Sequence, residues 1–211
     1  MNKLILIFIL IAIIVIGVFL FSFSENKSLP ESKPIYETGF TFYDVEQIQS
    51  TLALQNISMS SPTAVTDHTV NQYCMYFDGD VKKTVEYCTT TSILNPDGVS
   101  FGNINMGGTV DGPIMALAII DTADVYSSKN EVDFVFQTMI ETLVCDCWAE
   151  KQPGGFGTVS EWIDMAIIKH SQSSNSAPLK SQINGLNDMN LTLEIDSKDG
   201  KYLWTLIILK Y

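Results

Sequence analysis

PIMALAII, residues 113–120, is the stretch that decides the predicted fold. A strand sends alternate side chains to opposite faces, and from residue 114 onward both alternating sets of this stretch are apolar. A strand of this kind is covered on both sides and lies in the interior of its sheet. We therefore predict a layered domain with this strand near the centre of the sheet.

A helical layer is predicted directly after this strand. Ser128 and Glu131 form a capping box, and a second capping box begins another helix over residues 158–169. The glycine-rich run 153–157 separates the two helices. One apolar face of the first helix repeats at helical spacing through Val132, Val135, Phe136, Met139, Ile140, Leu143 and Cys147.

The segments before the central strand carry weaker patterns. Val45, Ile48 and Leu52 recur at the spacing of one helix face, and the residues around Asp78–Asp80 are typical of a hairpin turn. These segments predict a helix at 44–57, hairpin strands at 69–77 and 84–91, a strand at 99–105 and a glycine-rich loop at 106–112.

The carboxyl-terminal residues predict a second hairpin, with a two-residue turn at Asp199–Gly200. Because residues 203–209 are apolar on both faces, we predict that this last strand is interior and that the strand before it lies nearer an edge. The hairpin register pairs Leu191 with Ile208, Leu193 with Leu206, and Ile195 with Trp204.

The stretch Leu4–Phe21 is apolar throughout, with Gly17 as its only break. As a helix it would cover about 27 Å, close to the thickness of the hydrocarbon core of a bilayer. Lys3 precedes the stretch and every acidic residue follows it, so residues after about 25 are expected outside the cell. The alternative is a cleaved secretory signal, because Ser22 and Ser24 have the spacing that a signal peptidase accepts.

The chain is therefore predicted to have three parts. Residues 1–24 form a transmembrane anchor, which is equivalent to an uncleaved signal, and residues 25–40 form an extended tether. Residues 41–211 form a single extracytoplasmic domain. The predicted fold class is α+β: an N-terminal transmembrane helix, then an antiparallel or mixed sheet of about six strands with two or three helices packed on it. We expect a single-pass protein that the membrane holds through residues 4–21.

Charge excludes nucleic acid as a partner. The chain has a formal net charge of −12, with 24 acidic residues against 12 Lys and no Arg. Such a surface repels phosphate backbones, and it lacks the bidentate guanidinium clamp for phosphate. We expect a protein partner and no cofactor. Three glycosylation sequons, at Asn26, Asn56 and Asn190, agree with an exterior location, although chance alone would produce about two.

Cysteine pairing tests the compartment and the first hairpin together. A five-residue loop, Gly79–Lys83, would place Cys74 opposite Cys88, whereas a tight turn at Asp78–Asp80 would place Cys74 opposite Thr84. An oxidising exterior favours a Cys74–Cys88 disulfide and with it the longer loop. Crossed bridges from the hairpin to the other two cysteines, and no bridges at all, are the alternatives.

Cys145-Asp146-Cys147 is the sharpest chemical motif of the chain. It is compatible with a copper(I) or zinc site. On a continuous helix, however, these two side chains would point about 200° apart, so we expect neither a shared metal ion nor a bond between them. The preferred interpretation places Cys147 in the core, with Cys145 either free or in a disulfide.

No catalytic constellation is predicted. His68 and His170 are the only imidazoles, and neither lies in a hydrolase or metalloprotease motif. The leading hypothesis is a tethered binding, sensing or assembly module, such as an accessory subunit of a membrane complex. The alternative is a thiol- or metal-handling protein that uses Cys145 and Cys147. The candidate contact surface is the glycine-rich loop with a nearby aromatic residue: Gly154, Gly155, Phe156 and Trp162.

Overall fold

The stretch PIMALAII lies within an interior strand of an eight-stranded antiparallel sheet. The computed structural model describes residues 39–66, 68–78, 81–172, 178–198 and 200–210, all within one unit, Thr38–Tyr211. The predicted anchor, and the predicted tether apart from its last two residues, lie outside these ranges. Within them, no helix is long and apolar enough to cross a membrane.

The α+β class is confirmed, and the sheet is antiparallel throughout. The helices are α1 (Asp44–Ala53), α2 (Val70–Tyr73), α3 (Lys129–Leu143), α4 (Trp148–Lys151) and α5 (Val159–Gln172), and Pro153–Gly155 forms a 3-10 turn. The strands are β1 (Ser58–Met59), β2 (Thr63–Val65), β3 (Met75–Asp78), β4 (Val81–Thr84), β5 (Tyr87–Leu94), β6 (Ser100–Thr109), β7 (Gly112–Thr122), β8 (Leu179–Leu186), β9 (Met189–Lys198) and β10 (Lys201–Lys210).

Two three-stranded meanders build most of the sheet. The first is β5–β6–β7 and the second is β8–β9–β10, and they join where β7 pairs with β10. The sheet has eight strands rather than about six because three unpredicted strands join it: β1 and β2 pair with β5, and β8 pairs with β9. The predicted strand at 69–77 is not part of it. β3 and β4 form a separate two-stranded sheet.

The carboxyl-terminal hairpin has the predicted register. Leu193 lies opposite Leu206 and Ile195 lies opposite Trp204. The same strand pairs with β7, so that Leu206 also faces Ala118. The last strand is interior, as predicted from its two apolar faces. The edge position belongs to β8 rather than to β9.

Helices cover one face of the sheet. The even-numbered residues of β10 and β7 point into this layer, and Trp204, Leu206 and Ala118 are fully buried there. α3 is the central helix and packs against α1 on one side and α5 on the other. The predicted apolar face of α1 is buried, as is the predicted face of α3 from Val132 to Leu143.

The opposite face of the sheet is covered only in part. A smaller apolar cluster lies there, formed by α2, the segment after β4 and the odd-numbered residues of β7. Its members are Val70, Cys74, Val85, Cys88, Met115 and Leu117. Asn105 of β6 is buried beside them, and its side-chain amide donates a hydrogen bond of 2.7 Å to the carbonyl oxygen of Tyr73.

The predicted first hairpin is wrong in its boundaries and in its register. Met75 pairs with Thr84 and Asp78 with Val81, so only two residues separate the strands. Neither the five-residue loop nor the predicted tight turn, which places Cys74 opposite Thr84, has this register. The residues before Met75 form α2 instead of a strand. The two strands of this hairpin have four residues each, because the chain leaves it after Thr84 and joins the large sheet as β5.

The predicted glycine-rich loop at 106–112 is also wrong, since β6 continues through it to Thr109. Gly107 lies against the disulfide, and a Cβ atom there would come within 3.0 Å of the Sγ of Cys74. At Gly108 a Cβ atom would overlap the carbonyl of Gly112 on the next strand. These glycines are therefore strand residues at points where neighbouring atoms leave no room for a Cβ atom. Such close approach is a common reason for glycine within a strand.

Candidate functional site

A shallow apolar hollow opens at one end of the sheet. Its volume is about 390 Å³. The short edge strand β2 forms one wall, the first residues of β5 form the floor, and the β6–β7 turn rises beside them. We call this surface the Tyr87 patch and define it by Phe42, Ala64, Val65, Tyr87, Thr109 and Val110, which line the hollow.

The Tyr87 patch exposes large apolar side chains. Tyr87 is 53% exposed and Val110 is 73% exposed, while Phe42 and Val65 are half-buried. None of the described residues that line the hollow is charged. The acidic residues Glu86 and Asp111 are the exposed chain neighbours of Tyr87 and Val110. An apolar centre without charged residues is usual for the core of a protein–protein interface.

The Tyr87 patch is not predicted from the sequence. Its members come from four separate segments, and three of these are brought together by the pairing of β2 with β5 and of β5 with β6. One local signal exists. Val110 precedes Asp111-Gly112 in a turn, where polar residues are usual, so an apolar residue at this position is unexpected for a solvated turn.

A second cleft lies on the partly covered face of the sheet. Its volume is about 280 Å³, and its lining includes Met75, Leu117, Thr205 and Ile207. The ammonium of Lys180 and the carboxylate of Glu194, 2.6 Å apart, pair across β8 and β9 at its border. The volume is just below the usual range of about 300 to 1,000 Å³ for small-molecule sites. We assign no ligand to this cleft.

The predicted contact surface at the glycine-rich turn is only partly present. Gly154 and Gly155 are exposed and Phe156 is half-buried. Trp162, however, is 1% exposed, and its indole nitrogen donates a hydrogen bond to the hydroxyl of Ser181. Trp162 is buried because it lies on the inner face of α5, where its ring centroid is 5.7 Å from that of Trp148. Trp162 is therefore a core residue.

Cys74 and Cys88 form the predicted disulfide. Their Cα atoms are 5.9 Å apart, and both residues are buried. The predicted geometry was wrong, because the bond does not cross the β3–β4 hairpin. It joins the residue after α2 to the second residue of β5 and anchors α2 on the partly covered face.

Cys145 and Cys147 are also bonded to each other, contrary to the expectation that a helix would hold them apart. The helix ends at Leu143, two residues before Cys145, so the 100° rotation per residue no longer separates the two side chains. Their Cα atoms are 5.2 Å apart. In this state neither sulfur is a thiolate that could bind copper or zinc. Within the described residues, no group of three or more His, Cys, Asp or Glu side chains is arranged to hold a metal ion.

The two imidazoles lie in separate settings. His68 is exposed beside α2. His170, on α5, is half-buried and contacts the ring of Tyr202 edge-on, with the ring centroids 5.8 Å apart. Among the predicted sequons, Asn56 is exposed and has a φ of 58°, and Asn190 is half-buried on β9. Asn26 lies outside the described ranges.

Hydrogen bonding shifts the pKa of two groups near α3. The pKa of Asp124, which precedes the helix, is lowered, and the pKa of Lys129, its first residue, is raised. Backbone amides of Ser127 and Tyr126 donate to the carboxylate of Asp124 and lower its pKa below the usual value of 3.8. Burial disfavours the charge of Lys129, but hydrogen bonds to Asp133 and to Asp164 of α5 outweigh it and raise the pKa of Lys129. This ion-pair cluster ties α3 to α5 and is structural.

Comparisons with protein-family models, with curated proteins and with solved structures found no match to this chain. Function is therefore inferred from the residues and the geometry described above.

Proposed function

We propose that this protein is a membrane-tethered binding module whose domain lies outside the cell and docks a partner protein through the Tyr87 patch. The apolar run Leu4–Phe21 supports the tether. The observation that carries the binding role is the combination of exposed Tyr87 and Val110 around an uncharged hollow of about 390 Å³. Tyrosine is enriched among the residues that contribute most to protein–protein affinity.

The chemistry of the patch defines the partner. Its apolar centre accepts an apolar side chain or a short apolar segment. The exposed acids Glu86 and Asp111 are next to patch residues along the chain, and the net charge of the chain is −12. A partner whose apolar contact is flanked by Lys or Arg is complementary to this surface, because opposite charges favour the encounter and like charges oppose it.

The position of the patch along the chain supports a partner in the same membrane complex. The predicted tether, residues 25–40, enters the described domain at Gly39, three residues before Phe42 of the patch. Along the chain, the first residue of the patch therefore follows the predicted tether by two residues. This arrangement suits an accessory subunit that is held beside a larger membrane protein.

Two valines at opposite ends of one strand provide a matched test. Val110 follows β6 within the patch, whereas Val99 precedes the same ten-residue strand and is 61% exposed in another turn. Val110→Asp and Val99→Asp add the same charge to the same kind of position. The full-length variants are expressed in native membranes and solubilised in mild detergent. The size of the native complex that contains each variant is then compared with that of the wild type.

We expect the wild type and Val99→Asp to migrate in one larger complex, and Val110→Asp to migrate as the free protein. Equal complexes in all three, or no complex for the wild type, would overturn the proposal. A complex that contains only copies of this 23.4 kDa chain would also overturn it, because the partner is proposed to be a different protein. Tyr87→Ala is expected to weaken the complex in the same way as Val110→Asp.

A further inference from the structure

We propose that the Cys145–Cys147 disulfide is a thiol–disulfide exchange site that accepts two electrons from a dithiol. This activity is separate from the docking role of the Tyr87 patch. It concerns the loop between α3 and α4, none of whose residues lines the Tyr87 patch. Four observations support it: the span of the bond, its exposure, the support of its loop and the contrast with the other disulfide.

The bond between Cys145 and Cys147 does not connect distant parts of the fold. Only Asp146 lies between the two cysteines, whereas the Cys74–Cys88 bond has a sequence separation of 14. Stabilisation by a disulfide grows with the length of the loop that it closes. A structural role therefore explains the Cys74–Cys88 bond and leaves the second bond without a comparable explanation.

The two disulfides also differ in access. Cys74 is 0% exposed and Cys88 is 3% exposed, so the folded domain shields this bond from an attacking thiolate. Cys145 and Cys147 are half-buried, and Asp146 between them is exposed. Exchange requires direct approach of a thiolate to a disulfide sulfur, and exposed disulfides are the ones that take part in it.

The loop that carries the bond is held in place without it. The backbone amides of Val144 and Cys145 both donate to the carbonyl of Ile140, at 2.9 and 3.1 Å. The side-chain amide of Asn187 donates to the carbonyl of Val144 at 2.7 Å, and the amide of Lys151 donates to the carbonyl of Cys147 at 2.9 Å. Reduction breaks none of these bonds. The two thiols therefore remain close enough to form the disulfide again.

The proposed reaction has two steps. A thiolate of the dithiol attacks one sulfur of the pair, a mixed disulfide forms, and the other cysteine leaves as a thiolate that takes up a proton. The second thiolate of the reductant then attacks the first reductant sulfur, which is bonded to the protein in the mixed disulfide. This attack releases the remaining cysteine, which is also protonated. The dithiol ends as a disulfide, and the two electrons and two protons that it loses reside on Cys145 and Cys147.

Selective reduction of the full-length protein is the first test. The protein in detergent is equilibrated with increasing dithiothreitol, alkylated and cleaved after lysine. Cys145 and Cys147 share the peptide 130–151, whereas Cys74 and Cys88 lie on the linked peptides 34–82 and 84–129. We expect alkylation of peptide 130–151 at a dithiothreitol concentration at least tenfold below that which opens the Cys74–Cys88 bond. Opening of both bonds at one concentration would overturn the proposal.

A single-cysteine variant separates exchange from simple lability. Reduced wild type and Cys147→Ser are each mixed with glutathione disulfide. The wild type should return to the internal bond and keep no glutathione, because its second thiol displaces the mixed disulfide. Cys147→Ser lacks that thiol and should keep one glutathione on Cys145. An unmodified Cys147→Ser, or a wild type that keeps the same adduct, would contradict the exchange site. The unfolding temperature of the variant, which we expect within a few degrees of the wild type, controls for the fold.

Discussion

Leu206 shows at residue scale how the interior position of β10 determines stability. It is 0% exposed and lies between Leu193 on β9 and Ala118 on β7. Replacement of a fully buried leucine by alanine removes packing contacts and leaves a cavity, at a cost of about 2–5 kcal/mol. Leu206→Ala should therefore lower the free energy of unfolding by this amount in a denaturant titration of the full-length protein.

Leu203→Ala is the matched control for that change. Leu203 is on the same strand, points to the other face and is 37% exposed, so its truncation should cost much less. Equal losses for Leu203→Ala and Leu206→Ala would mean that the helix-covered face is not the tightly packed one.

Asp124 links stability to pH. Its folded-state pKa is lowered by the amides of Ser127 and Tyr126, so its ionised form stabilises the fold above pH 3.8, the usual value for the group. That contribution is lost as the pH falls through the lowered pKa. Asp124→Asn should unfold at a lower temperature than the wild type at pH 7, and the difference should shrink progressively as the pH falls below 3.8. A difference that is the same at every pH would show that the charge of Asp124 has no part in it.

At the scale of elements, the Cys74–Cys88 bond connects α2 to β5. It closes a loop with a sequence separation of 14, for which the chain-entropy model gives a stabilisation of about 3 kcal/mol. The double variant Cys74→Ser/Cys88→Ser should lose about this much in denaturant titration. Cys145→Ser/Cys147→Ser should lose clearly less, because its loop is so short. Similar losses would assign a structural role to both bonds.

Elements with strong apolar periodicity were predictable from the sequence. β7, β10 and the inner faces of α1 and α3 follow directly from it, because burial of those side chains is the main driving force of folding. β8 was not predicted, since an edge strand with Lys180 and Gln182 on one side has no continuous apolar pattern. The first hairpin failed for another reason. Tyrosine, threonine and valine are typical of strands, yet backbone hydrogen bonding makes 70–73 helical.

The two candidate sites differ in what the sequence revealed. The Cys145–Cys147 motif was visible, but its chemistry depended on where α3 ends, and helix ends are set by tertiary packing as much as by local residues. The Tyr87 patch was not visible because it is a product of strand pairing. Trp162 was placed on a surface only because it follows a glycine-rich turn, and its indole is instead part of the core.

At the scale of the whole molecule, the predicted topology is open to a direct test. Lys3 and the terminal amine precede the apolar run, and the acidic domain follows it. Protease added to intact cells should therefore degrade the chain after about residue 25. A carboxyl-terminal tag that is fully protected in intact cells and cleaved only in inverted vesicles would place the domain inside. A protein released into the medium without residues 1–24 would establish the cleaved signal.

The pairing of β7 with β10 has a consequence for synthesis. Ala118 and Leu206 are neighbours in the sheet but are separated by 88 residues along the chain. At about 5–20 residues per second, a ribosome makes Leu206 roughly 4–18 s after Ala118. During that time the apolar strand β7 has one unpaired edge, which is a template for aggregation. The nascent chain therefore needs protection for several seconds, by the export machinery or by a chaperone, before its two meanders can close into one sheet.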